Sequence, residues 1–251
     1  MSFARLAIST ATTEPLPVSD HISLPSREIA TALVQACLRD VFSVYPVLTE
    51  TLIYGYLESV YQHNGQYGSS LAIWNVRLAI AIGLLLRSRH KGDADYETAC
   101  RHLAVALNHA ETVLQPGIAT TTQAVLLLLL YSILDPAHFS PWYLLSIAVR
   151  VWIDIGLHQE PAHLKRPSHV VQHHRRLFYC IYSLDRYVVG HVVRYLRLIP
   201  IGPSHSHMFD CSRSQMMQLM LASLTVQFCL SSGTMIRNRT IERTLMVISF
   251  F

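Results

Sequence analysis

Apolar residues recur at helical spacing through most of the chain, and the breaks between runs carry proline, glycine and capping residues. In "LPSREIATALVQACLRDVF", Ser26 is placed to cap a helix and Glu28 falls in its first turn, where an acid complements the helix dipole. Ile29, Leu33, Ala36, Cys37 and Val41 then share one face. Pro46 restarts the chain, and a second helix is predicted to end near Tyr61. "HNGQYGSS" reads as a turn. Leu71 to Arg89 predicts a strongly apolar helix. "HKGDAD" breaks it, and Asp95 and Glu97 suit the start of another helix running to Leu114. After "QPGIAT", Thr120 and Gln123 have capping-box spacing and open a helix from Thr121 to Leu134. "DPAHFSP" is a short connection. Ser140 caps the next helix, Pro141 sits at its first position, and the helix runs to Ile155. Gly156 suits the C-terminal cap, Leu157 folds back, and Pro161 forbids continuation. "KRPSHVVQHHRRLFYCIYSLDRYVVG" predicts one more long helix. The pattern contains no run of alternating strands. The predicted fold class is all-α, a multi-helix bundle of roughly seven or eight antiparallel helices joined by short loops.

Half of the 251 residues are hydrophobic and 14% are charged, which is ample apolar surface for a core. A membrane-spanning helix needs about 20 mostly apolar residues. The run Ala124 to Leu134 contains Tyr131 and Ser132 and stops at Asp135; Leu78 to Leu86 is shorter and follows Arg77. The helix from Trp142 to Ile155 is interrupted by Ser146, Arg150 and Asp154, which lie four apart and form one stripe. These lengths predict buried helices rather than spans, and the Trp142 helix is expected to be buried with one polar seam. The Leu126 to Leu130 run and Trp142, Tyr143, Trp152, Phe178 and Tyr179 read as core.

Charge divides the chain. Residues 1–189 hold 14 Lys/Arg and 14 Asp/Glu, whereas residues 190–251 hold six Arg against Asp210 and Glu242 and so carry the whole net charge of +4. The arginines of that tail are scattered, not clustered as in a DNA-binding footprint. Cys37, Cys100, Cys180, Cys211 and Cys229 are far apart and form no C-x-x-C, so they read as reduced, mostly buried thiols. Residues 1–23 have no sustained apolar core and read as a flexible lead-in.

Candidate chemistry is sparse. His169, His173 and His174 include an i, i+4 pair, and His205 and His207 lie near Cys211, but neither group gains a third ligand at helical spacing. The metal expectation is therefore none. Nucleophile elbows, Walker loops and dinucleotide fingerprints are absent, so no catalytic residue and no cofactor is expected. Arg150, Asp154, Arg175, Arg176, Asp185 and Arg186 fall on two helices expected to be neighbours, with His158 between them. They read first as an ionic network that fixes helix register, because buried charges must be paired. An arginine-based effector pocket and catalysis stand behind that reading.

Four segments together resemble the fungal-specific transcription factor regulatory domain, the middle homology region of zinc binuclear cluster transcription factors. They are "LPSREIATALVQACLRDVFSVYPVLTETLIYGYLESVY", "TTTQAVLLLLLYSILDPAHFSPWYLL", "AVRVWIDIGLHQEP", and Arg175-Arg176-Leu177-Phe178-Tyr179 through Tyr182, Leu184, Asp185 and Arg186. The resemblance covers residues 24–189. It implies an effector-responsive or autoinhibitory domain that regulates transcription by RNA polymerase II in a nucleus. It also implies protein partners in the transcription machinery and a small-molecule effector, with no membrane role. DNA would be reached only through a zinc cluster module that this chain lacks, so zinc is expected there and not here. After Arg186 the chain departs from the family's Gly-Arg-Pro turn and acidic segment. Residues 190–251 are therefore expected to be a divergent, poorly packed or partly helical tail, as in a truncated or mis-spliced product. The alternative is a helical small-molecule-binding enzyme or a membrane-associated protein.

Overall fold

A computed structural model describes residues 2–16, 22–62, 68–155 and 168–198, with side chains in the last segment described for 170–188 and 190. The chain divides into two compact units, 1–200 and 201–251, and the second lies outside the described residues. So do the predicted caps Gly156, Leu157 and Pro161, most of the "HNGQYGSS" turn, and His158, His205, His207 and Cys211. The all-α class holds: nine α-helices and no strands occur among the described residues, with one isolated bridge between Thr12 and Phe139. In chain order they are α1 (Phe3–Ala11), α2 (Arg27–Cys37), α3 (Glu50–Tyr61), α4 (Ser70–Arg87), α5 (Ala94–Leu107), α6 (Ala110–Val113), α7 (Ala119–Leu134), α8 (Pro141–Asp154) and α9 (Ser168–Leu198).

Capping chemistry explains four of the nine helix starts. The hydroxyls of Ser2, Ser26, Thr49 and Ser69 accept hydrogen bonds from the backbone N–H of Arg5, Ile29, Leu52 and Ala72, satisfying orphan donors of the first turn. Ser140 occupies the cap position of α8, but its side chain makes no capping bond, and Pro141 opens the helix instead. The expected capping box at Thr120 and Gln123 does not form. Helix α7 starts at Ala119 after Ile118, and Gln123 turns into the core. The neighbouring Thr121 hydroxyl donates to the carbonyls of Val113 and Gln115, so it closes the connection from α6. Gly117, at φ +79°, supplies the left-handed turn of that connection, a conformation costly for a residue with Cβ.

Helix α4 is the centre. Twelve of its 18 residues are buried, and α2, α3, α5, α6 and α7 pack around it. It is long and apolar enough to cross a membrane on length and composition alone, but its burial accounts for its apolarity as a core helix. Trp74 is fully buried and its indole N–H donates to the carbonyl of Ala124, tying α4 to α7. Helix α7 is likewise buried nearly all round. Gly83 marks the closest approach: a Cβ built there would lie 2.5 Å from the carbonyl oxygen of Leu33 on α2.

Several faces differ from the expectation. The buried face of α2 is Ala30, Leu33, Val34 and Cys37, and Ile29 is exposed. A π-helical turn at Leu38–Phe42, closed by Ser43 N–H to the Leu38 carbonyl, widens the register and buries Val41 and Phe42 side by side. The helix expected to run to Leu114 breaks after Leu107, and the short α6 turns Ala110 and Val113 inward. The lead-in is not loose throughout. Residues Phe3–Ala11 form α1, which buries Ala4, Ala7 and Ala11 and packs on α8 and α6, because small side chains at i, i+3 and i+7 permit close approach. Arg5 also pairs with Glu111 at 2.5 Å.

The α2–α4 approach yields a paired test. Gly83→Ala forces backbone to move and should cost about 1–3 kcal/mol, as overpacked core sites do. Gly55→Ala on the exposed face of α3 meets nothing within 4 Å and should stabilise by up to about 1 kcal/mol through helix propensity. Urea midpoints of the two variants measure both. Equal effects would remove the case for a sterically required glycine at 83.

Candidate functional site

Helix α9 presents two unlike faces. Leu177, Cys180, Ile181, Leu184 and Val188 recur at helical spacing and are buried. Phe178, Tyr179 and Tyr182 point outward and are 44%, 54% and 54% exposed. Phe178 and Tyr182 stack with centroids 6.5 Å apart, and the Arg186 guanidinium sits 5.6 Å above the Tyr182 ring. On α8, Trp142 and Tyr143 are also exposed, whereas Trp152 is buried and meets His174 of α9 edge-on at 6.4 Å. The aromatics expected in the core are therefore mostly at the surface. Only Trp152 among those five is buried, since α8 and α9 each have one face toward the bundle.

The predicted charged residues follow the same division. Arg150 and Asp154 pair at 3.2 Å along α8, as their spacing suggested, but their side chains are 78% and 55% exposed. Such a pair contributes about 0.3–0.5 kcal/mol. The seam of α8 is thus a solvated face, not a buried one. Asp185 and Arg186 pair on α9, and Arg175 and Arg176 lie on its exposed side. These two ion pairs are each internal to one helix. His169 falls outside the residues whose side chains are described.

A polar contact that joins α9 to the core is one that sequence reading missed. Buried Gln123 of α7 donates from Nε2 to the Val47 carbonyl at 3.1 Å, and the same nitrogen lies 3.2 Å from His173 Nε2. An amide nitrogen is donor only, so His173 must accept at Nε2, which requires neutral imidazole. Burial, then the charge of Arg176, lowers the His173 pKa and favours that form. His169 and His173 have the i, i+4 spacing of metal ligands, but no metal was expected there; in space His173 is a hydrogen-bond acceptor.

A second polar centre surrounds Arg77 on α4. One Nη donates to the Ile22 carbonyl at 3.0 Å and lies 3.0 Å from His102 Nδ1. Since the guanidinium has no acceptor, His102 accepts and is neutral. Burial and the adjacent Arg77 charge push the His102 pKa down to about 4. Among the described residues no carboxylate pairs with Arg77, and its Nε is buried without a partner. Nearby, the Tyr61 hydroxyl donates to the Pro25 carbonyl, so α3 and α4 together hold the segment entering α2. A third centre, Cys100, Asp135 and His138, is fully buried between α5 and the α7–α8 connection. Its members are 35 and three residues apart, which is why no local spacing reveals it.

With this geometry in view, the family is established. The chain belongs to the family described as the fungal specific transcription factor domain, which matches residues 38–190, more than half its length. The match starts at the first residue of the π-helical turn and takes in α3 through most of α9. The chain is similar to pyrimidine pathway regulatory protein 1 of Saccharomyces cerevisiae, at 36% identity over 69 residues, covering 28% of this chain and 8% of that protein. It is also similar to the positive regulator of purine utilization of Emericella nidulans, at 25% identity over 228 residues, covering 68% of this chain and 22% of that protein. It thus spans less than a quarter of either relative. No solved structure matches it. The domain has a regulatory role in transcription.

The buried neutral imidazole of His102 makes stability pH-dependent. Its pKa is lower folded than unfolded, so between about 6.5 and about 4 the unfolded chain binds the proton first. Stability should therefore be retained above pH 6.5 and fall as the pH drops toward 4. The loss attributable to this residue is up to about 3 kcal/mol. Urea midpoints across that range check the slope. His102→Asn, which keeps an acceptor near the Nδ1 position, should flatten it.

Proposed function

We propose that this domain is the effector-responsive, autoinhibitory part of a nuclear transcription regulator whose DNA contacts come from a zinc cluster module outside this chain. The observation that carries the proposal is the pair of faces on α9. One face packs on the bundle and is tethered to α7 through the Gln123–His173 hydrogen bond; the other offers stacked aromatics and arginines. An element held this way has a docked and a released state, and a ligand that binds one better shifts the population. The exposed aromatic and basic face suits contact with protein partners of the transcription machinery, since Tyr, Phe and Arg are the side chains that anchor such contacts.

The effector end of the switch is Arg77. A half-buried guanidinium with an unused N–H suits an anionic small molecule. The two relatives are named for a pyrimidine pathway and for purine utilization. Anionic nucleobase derivatives are therefore the effector class to test first.

The test fuses residues 1–251 to a heterologous DNA-binding domain and reads a reporter with and without purine or pyrimidine derivatives. Gln123→Ala should release α9 and give effector-independent output, changed severalfold from the parent. Arg77→Leu should abolish the response to the effector. If both variants match the parent fusion in both conditions, neither α9 nor Arg77 belongs to a switch.

A further inference from the structure

We infer that Cys100, Asp135 and His138 form a structural zinc site inside this domain, separate from any zinc in a DNA-binding module. Sγ of Cys100, a carboxylate oxygen of Asp135 and a ring nitrogen of His138 all lie within 4.8 Å of one another. Cys100 Sγ is 3.7 Å from His138 Nε2. Ligand atoms of tetrahedral zinc sit about 2.0–2.3 Å from the ion and so about 3.3–3.7 Å from each other. The sulfur–nitrogen separation already meets that range, and small side-chain rotations bring in the carboxylate.

Electrostatics points the same way. Asp135 is 1% exposed and caps the C-terminal end of α7, where the helix dipole is negative and a carboxylate is disfavoured. Its partners are the Tyr96 hydroxyl, which donates to Oδ2 at 3.1 Å, and the Ala137 N–H, which approaches Oδ1 at 3.4 Å. No Lys or Arg pairs with it among the described residues. A buried carboxylate without a cation is costly. His138 is 8% exposed, and its Nε2 is turned toward Cys100 Sγ.

Zinc resolves the charge. On binding, the Cys100 thiol releases its proton to solvent. The dication is then balanced by one thiolate and one carboxylate, with His138 neutral, so the site has no net charge in a dry core. Cysteine, histidine and carboxylate are the donor types zinc takes. The fourth position falls to a water or a phenol oxygen, beside the Tyr131 hydroxyl 3.8 Å from Sγ and the Tyr96 hydroxyl on Asp135. Hydroxyls on ligand atoms are the outer-shell partners that hold metal ligands in place.

The position gives the ion a structural task. It joins α5 to the end of α7 and to the connection leading into α8. That connection also seats α1, through the Thr13 N–H to the His138 carbonyl and the Ser140 N–H to the Ala11 carbonyl. Zinc here fixes where α8 starts, and α9 packs on α8.

The experiment loads the purified chain with cobalt as a spectroscopic stand-in, and separately measures zinc retained after dialysis. The expected result is one equivalent of zinc, a thiolate-to-cobalt charge-transfer band in the near ultraviolet, and tetrahedral d–d bands in the visible. Cys100→Ser should abolish the charge-transfer band, while Cys37→Ser and Cys180→Ser keep it. Tyr96→Phe, which leaves all three ligands, should weaken zinc binding about 10- to 100-fold. Failure of the parent chain to show the band overturns the inference even if Cys100→Ser does not fold. So does a band that survives Cys100→Ser, since the thiolate then lies elsewhere.

Discussion

The close approach of α2 to α4 at Gly83 is the constraint on which the rest of the bundle depends. Helix α4 has no solvent face over most of its length, so every neighbour must find its own groove on it. Absence of a side chain at 83 lets the α2 backbone come within contact of the α4 backbone. That placement sets Leu33 against the central helix, and the π-helical turn that follows buries Val41 and Phe42. On the other flank, the Trp74 indole bonded to the Ala124 carbonyl fixes α7, the second helix without a free face. With α4 and α7 buried, α8 and α9 can cover the bundle with one face only. Their outer faces are then available for other contacts.

Polar groups in this interior sit at joints. Gln123 and His173 join α7, α9 and the 45–48 segment; Arg77 and His102 join α4, α5 and the strand of chain before α2; Cys100, Asp135 and His138 join α5, α7 and the entry to α8. Apolar packing tolerates helices sliding by a fraction of a turn, whereas an unsatisfied buried polar group costs about 1–3 kcal/mol. Polar joints therefore specify one arrangement among several that the apolar residues permit. In a regulatory domain the same property makes two arrangements possible, provided the alternative also satisfies these groups.

How much of this was legible in the sequence depended on range. Caps and breakers are local, and Ser26, Pro141 and the loop at "HKGDAD" placed helix boundaries to within a residue or two. Which face of a helix is buried is less local. Ile29 fits the periodic stripe of α2, yet it is exposed and neighbouring Ala30 is the buried one. Composition misled most on α8 and α9. Their aromatics are as apolar as core residues, but no periodic rule distinguishes a ring that faces the bundle from one that faces outward. Gln123 matched a capping pattern by spacing and instead spans three elements, a role decided by residues 47 and 173.

The histidines make the point sharply. Sequence spacing drew attention to His169, His173 and His174 on one helix, and passed over His138, which lies beside a cysteine and a carboxylate. Ligand clusters in helical bundles are assembled from different helices, because one helix face offers at most two ligands to one ion without bending. A chain with 14 histidines will show i, i+4 pairs by chance, so local spacing is poor guidance there. A buried carboxylate at the negative end of a helix is a more discriminating sign, since folding places one there only at a cost that something must offset.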